Sequence, residues 1–187
     1  GVTSGQIDTV AELADYDVVL LGDSYSRSEI AAVAPALRQW VEAGGGVVGI
    51  GGSIELAGSD SGIPLADIDA ILPGDTTVGL LRQYTSTFDI IDATHPVTIG
   101  VSDFSVGYYV EYSPTVDPGA SVLAKAGGQP GLVVGNAGAG RGVYTGLYYY
   151  GSESGSRERI LEQSVAWAAF DLTDSYTVLG KAGQELT

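Results

Sequence analysis

Residues 17–51 read DVVLLGDSYSRSEIAAVAPALRQWVEAGGGVVGIG, and this stretch decides the fold. Val18–Leu21 and Val47–Ile50 carry no polar side chain, the pattern of strands buried on both faces. Between them Ile30, Val33, Leu37, Trp40 and Val41 recur at spacings of three and four, the period of one helix face. Ser26 or Ser28 can cap the start of that helix, and Gly44-Gly45-Gly46 ends it. Strand, helix and strand make a βαβ unit. Its two wholly apolar strands call for a mainly parallel sheet covered by helices on both faces, an α/β fold.

Outward from this unit, Ile7–Leu13 has helical spacing, and Pro64–Leu72 predicts a short helix. Thr85–Ile91, Val106–Tyr112, Ser121–Ala126, Leu132–Val134 and Val143–Tyr148 read as strands separated by Gly, Pro and Asp turns. Arg157–Phe170 is an amphipathic helix, and Ser175–Leu179 can form one more strand. No repeat or low-complexity linker interrupts the pattern. The expected organisation is one α/β domain over residues 1–174 and a C-terminal extension over 175–187.

The chain has 187 residues, 44% of them hydrophobic, so a single core is expected to bury roughly 70% of the unfolded surface. Twenty-three acids against 8 bases give a net charge of −15, which disfavours the clustered Lys and Arg needed to grip nucleic acid. No apolar run approaches the roughly 18 residues of a membrane span. The absence of cysteine removes disulfides, thiolate metal sites and cysteine nucleophiles, and His95 is the only imidazole. Lys125 and Lys181 are the only lysines, and Asp outnumbers Glu. This balance points to a salt-adapted surface, or else to an ordinary acidic secreted protein; either way the expected location is extracellular or at the cell surface.

Several phrases in order, LADYDVVLLGD, LRQWVEAGGGVVGIGG, DATHPVTIG, ASVLAKA, GRGVYTGLYYYG and LEQSVAWAA, resemble the class I glutamine amidotransferase-like superfamily, most of all its trehalose-utilisation-protein branch. The resemblance covers roughly residues 12 to 170 and implies a three-layer flavodoxin-like sandwich. In catalytic relatives the turn after the second strand here carries a cysteine, activated by a histidine after a later strand. By the resemblance Gly51 stands at the nucleophile position and Tyr149 at the histidine position. No catalytic residue is therefore assigned.

Ligands of open α/β sheets bind beyond the carboxyl ends of the strands. That rule selects Asp23, Ser24 and Tyr25 after the first strand, Gly51, Gly52, Ser53 and Glu55 after the second, and Tyr148, Tyr149 and Glu153 after the late one. Ser53 falls two places beyond the turn's apex and reads as a helix cap rather than a serine nucleophile. Asp23, Glu55 and Glu153 could converge on a hard cation, but a chain this acidic places three carboxylates near one edge by chance, and no metal or cofactor is expected. His95, ahead of Pro96, reads as a structural turn residue; catalysis would need a partner such as Asp92 or Asp103. Tyr108, Tyr109, Tyr112, Tyr144, Tyr148, Tyr149 and Tyr150 suit either core packing or recognition of a protein or sugar.

The resembling fold starts with a strand before its first helix, where this sequence has only Gly1–Gly5, and Gly1 is not an initiator. The expectation is a processed or truncated piece, or a slot filled elsewhere, with Ser175–Leu179 of the same or a neighbouring chain as a candidate. The expected role is a non-catalytic structural or interaction module, self-assembling or bound to a larger parent chain. The alternative is a carbohydrate-directed hydrolase using carboxylates among Asp23, Glu55, Glu111 and Glu153, or a sugar-binding module using the tyrosines.

Overall fold

Strands β1 (Val18–Leu21) and β2 (Gly46–Ile50) pair in parallel, Val18 against Gly46 through Leu21 against Gly49, and helix α2 (Arg27–Glu42) connects them. The computed structural model describes residues 3–22, 27–52, 65–75, 81–84, 87–107, 109–149, 155–170, 179–180 and 184–185. Ser28 lies inside α2 rather than capping it, and Ser26 lies outside the described residues. Past α2, the amide of Gly45 reaches back to the Trp40 carbonyl at 3.1 Å and turns the chain into β2.

The helix expected over Ile7–Leu13 is shorter: a 3-10 turn at Ser4–Gln6 precedes α1 (Val10–Leu13). Thr9 caps α1, because its side chain accepts the Glu12 amide while the Glu12 carboxylate returns to the Thr9 amide. That reciprocal cap fixes the start at Val10, three residues beyond Ile7. The short helix is α3 (Ala66–Asp69), and the closing helix is α4 (Ser156–Ala168), near its expected bounds.

The remaining strands are β3 (Leu81–Tyr84), β4 (Thr87–Ile90), β5 (Phe104–Ser105), β6 (Tyr109–Tyr112), β7 (Ser121–Ala126), β8 (Gln129–Ala137), β9 (Gly140–Thr145), β10 (Leu179–Gly180) and β11 (Gln184–Glu185). Five of these join β1 and β2 in one seven-stranded sheet, in the order β1-β2-β9-β8-β7-β4-β5. Parallel pairing joins β1, β2 and β9, and the sheet continues from β9 as an antiparallel meander. β3 and β6 make a separate antiparallel ribbon. In the C-terminal region Leu179–Gly180 pairs with Gln184–Glu185 rather than with the large sheet, and Ser175–Val178 lie outside the described residues.

Alternation along the parallel strands divides the core in two. Val19, Leu21 and Val47 face α1, α2 and α3, packing with Leu13, Ile30, Leu37 and Ile68. Val18, Val48 and Ile50 face the other way, toward Ile160, Trp167 and Ala168 of α4. Sheet between helices on both faces is the flavodoxin-like α/β sandwich the sequence predicts. α4 presses so closely on β2 that a Cβ on Gly46 would collide with the Ala168 carbonyl.

The end of α4 is tied to β9. Arg141 donates from Nη1 to the Trp167 carbonyl at 2.7 Å, and its guanidinium lies 4.8 Å from the Trp167 ring centre and 3.8 Å from that of Phe170. Phe170 takes a left-handed backbone, φ 58°, to reach this position. β1 is an edge strand: among the described residues only β2 pairs with it, and Leu20 is 39% exposed.

Candidate functional site

The parallel strands β2 and β9 end side by side, with Ile50 paired to Thr145, and the chain beyond them forms the candidate site. The turn Gly51-Gly52 is fixed by three contacts. The Gly51 amide donates to the Thr145 carbonyl at 2.9 Å, and the Tyr144 hydroxyl donates to the Gly51 carbonyl at 3.2 Å. The Tyr148 ring covers the turn, so that a Cβ on Gly51 would stand 3.1 Å from two ring carbons. Gly51 has φ 47°, a conformation costly to any residue with a side chain.

The Tyr148 hydroxyl donates a short hydrogen bond to the carboxylate of Glu111, which is fully buried. Glu111 sits on β6, and the Glu111 amide donates to the Gly146 carbonyl at 3.1 Å. Gly146 lacks a side chain for a reason: a Cβ there would collide with the Glu111 carbonyl. The ribbon is thereby pressed onto the end of β9. Arg82, cross-strand from Glu111, donates from Nε to the same carboxylate at 3.3 Å. A buried carboxylate needs such partners, because an unpaired one costs several kcal/mol.

The electrostatics hold the tyrosines as donors. Burial, then the hydrogen bond to Glu111, pushes the Tyr148 phenol far above its ordinary value of 10.0, and burial followed by Glu111 raises Tyr144 as well. Against a desolvation that lowers it, Glu111 leaves the Arg82 guanidinium above its usual value. Enclosed between Arg82 and Tyr148, Glu111 is an internal acceptor with no exposed face for acid–base chemistry.

Of the residues selected from the sequence, Gly51, Gly52, Tyr148 and Tyr149 come together here, with Tyr149 packed against the core of the α4 face. Asp23, Ser24, Tyr25, Ser53, Glu55 and Glu153 lie outside the described residues, as do Tyr108 and Tyr150. Among the described residues no group of three or more His, Cys, Asp or Glu is placed to hold a metal ion. Tyr144 is a core residue, whereas Tyr109 joins the ribbon face. Sequence reasoning missed Arg82 and Tyr84, which stand two apart on a strand with no apolar alternation; their only signal was the Arg-x-Tyr spacing.

His95 is engaged elsewhere. Its Nδ1 accepts the Val97 amide at 3.2 Å, and its carbonyl accepts the amides of Thr98 and Ile99, both at 2.9 Å. Its ring packs 5.4 Å from Trp167. Burial lowers its pKa from the ordinary 6.5, with Asp92 opposing and Arg141 adding to the shift. Asp92 accepts from the amide and hydroxyl of Thr94, and Asp103 accepts the Ile90 amide at 2.7 Å, so both carboxylates tie loops together.

The fold of this sandwich is similar to that of several solved structures, ThuA-like proteins among them. A cytoplasmic protein from Salmonella typhimurium is 18% identical, with a TM-score of 0.71 over 86% of this chain and 75% of that one. A ThuA-like protein from Bacteroides uniformis is 16% identical, with a TM-score of 0.63 over 88% and 73%. The β-galactosidase of Bacillus circulans sp. alkalophilus is 15% identical, with a TM-score of 0.51 over 84% of this chain and 22% of that one. A family model described as the lacto-N-biose phosphorylase central domain matches residues 7–172, and the chain belongs to that family. No curated protein matches it. The extracellular or cell-surface location expected from the acidic composition is corrected: the Salmonella structure, and a second from strain LT2, are described as cytoplasmic proteins. An acidic surface serves solubility in any compartment, so charge alone could not fix the location. Among the described residues no helix is long and apolar enough to cross a membrane.

Proposed function

We propose that this chain is a non-catalytic amidotransferase-like domain that works as an interaction module, joining a larger protein or copies of itself. The observation that carries this reading is the filled turn at Gly51. Where the sequence resemblance would put a nucleophile, Gly51 has a left-handed backbone and a Cβ would meet the Tyr148 ring at 3.1 Å. By the sequence resemblance Tyr149 stands where the activating histidine would be, and the sequence has no cysteine.

The edge of β1, which among the described residues pairs only with β2, supports the interaction role. Beside it runs a largely apolar groove of about 410 Å³, lined by Val19, Leu21, Ile7, Ile30 and Val33. Unpaired strand edges with apolar side chains readily accept another strand. The family's description and the β-galactosidase, of which this chain matches 22%, make a larger carbohydrate-active protein the natural setting for such a module. The hydrolase alternative has less behind it. It needs two accessible carboxylates roughly 5 to 9.5 Å apart, and Glu111 is enclosed.

The purified chain should neither hydrolyse glutamine or nitrophenyl glycosides nor phosphorolyse a β-galactosyl disaccharide. It should associate with rising concentration in sedimentation velocity or bind a co-expressed parent segment, and Leu20→Lys should weaken that association. Turnover that copurifies with the chain and is lost in Gly51→Ala would refute the non-catalytic reading. A strict monomer that binds no such segment would refute the interaction role.

A further inference from the structure

The ribbon of β3 and β6 presents one face that the interaction role does not use. Side chains two apart on a strand point the same way, and the register sets Arg82 opposite Glu111 and Tyr84 opposite Tyr109, so these four share a face. Tyr84 is 62% exposed and the Arg82 side chain 41% exposed. The Tyr109 ring ties them together: its centre lies 5.0 Å from the Arg82 guanidinium carbon, 5.6 Å from the Tyr84 ring and 5.2 Å, edge-on, from the Tyr148 ring. Nε of Arg82 is held by Glu111, and among the described residues its two terminal nitrogens make no hydrogen bond.

We propose that this face binds a neutral pyranose sugar, its C–H face stacked on Tyr84 and a pair of its hydroxyls accepting hydrogen bonds from the terminal nitrogens of Arg82. The charges select a neutral ligand. Arg82 and buried Glu111 cancel, and a chain of net charge −15 has no spare positive field there to hold an acidic sugar or a phosphate. A guanidinium whose charge is already balanced still donates well to hydroxyl oxygens. A sugar supplies both halves of the match, an apolar face for a tyrosine ring and adjacent hydroxyls for a planar fork. The platform is also preorganised. Arg82 is fixed by its ion pair and by ring stacking, and Tyr109 is wedged between two other rings, so little side-chain freedom remains to be lost on binding. This inference goes beyond the interaction role and does not depend on it.

Titration of the intact chain with methyl β-D-galactopyranoside and methyl β-D-glucopyranoside, followed by amide chemical shifts, tests it, with sodium glucuronate as the anionic control. At least one neutral glycoside should bind with a Kd of roughly millimolar order and shift the amides of β3 and β6. Tyr84→Ala, which removes an exposed ring and leaves the core intact, should weaken binding at least about tenfold, whereas Tyr84→Phe should retain it. Arg82→Lys keeps a cation beside Glu111 but loses the fork, and should also weaken binding. No shift with either neutral glycoside, tighter binding of glucuronate, or undiminished binding by Tyr84→Ala would each overturn the proposal.

Discussion

Replacing Gly51 with alanine tests whether the turn after β2 has room for a side chain. The cost has two parts. Holding a residue with a Cβ at φ 47° costs roughly 1 kcal/mol relative to glycine. The new Cβ would also meet Tyr148 Cδ1 and Cε1 at 3.1 Å, closer than ordinary carbon contacts, and forcing such a group into a packed site adds about 1–2 kcal/mol. The sum is about 2–3 kcal/mol, or roughly 5–10 °C in Tm for a chain of this size. Urea unfolding at constant slope should report it as a lower midpoint. Removing the ring with Tyr148→Ala should make Gly51→Ala cheaper by about 1 kcal/mol in a double-mutant cycle, while Tyr148→Phe, which keeps the ring, should leave the two costs additive. If Gly51→Ala costs less than about 0.5 kcal/mol, a nucleophile could be accommodated and the non-catalytic reading loses its basis.

His95 carries a folded pKa below its ordinary 6.5, so the unfolded chain binds the extra proton first. Its contribution to stability should be complete above about pH 6.5 and fall as pH drops toward and through the folded value, a slope that His95→Gln should lose in urea titrations between pH 5 and 8. Tyr148→Phe withdraws a donor from buried Glu111 and should cost about 1.5–3 kcal/mol by the same unfolding assay; a neutral result would mean that another donor satisfies the carboxylate. Both Phe170→Ala and Phe170→Gly give up the stack on Arg141, but only glycine relieves the left-handed backbone, so the glycine variant should be the more stable by about 1 kcal/mol.

The strand at Gly46–Ile50 was legible because burial on both faces leaves a run with no polar side chain; Val18–Leu21 carries the same apolar run, yet it lies at the sheet edge and is only partly buried, with Leu20 exposed. β7 spans Ser121–Ala126 as the pattern predicts. β3 left no such trace. Leu81 and Tyr84 are exposed, the strand belongs to a two-stranded ribbon, and its residues contact the site through one face only. Glu111 reads in sequence as an accessible carboxylate that a hydrolase could use, and the structure buries it instead. It is buried because Arg82 comes opposite it and Tyr148 arrives from the far end of β9, pairings that no local pattern encodes. The same holds for Gly51 and Tyr148, which meet only because β2 and β9 run in parallel with Ile50 beside Thr145.

That parallel pairing also orders the events of folding. β7, β8 and β9 can close on one another through short turns, but β2 finds its neighbour only when residues 140–145 arrive, since Gly46 pairs with Arg141. Until then the β1–α2–β2 unit has half a core and an apolar strand with one side open. Contacts so distant along the chain are slow to form and expose aggregation-prone edges in the interval. Fragments ending before β9 should therefore be insoluble where the whole domain is not, and a nascent chain stalled at that point is the one that most needs a chaperone.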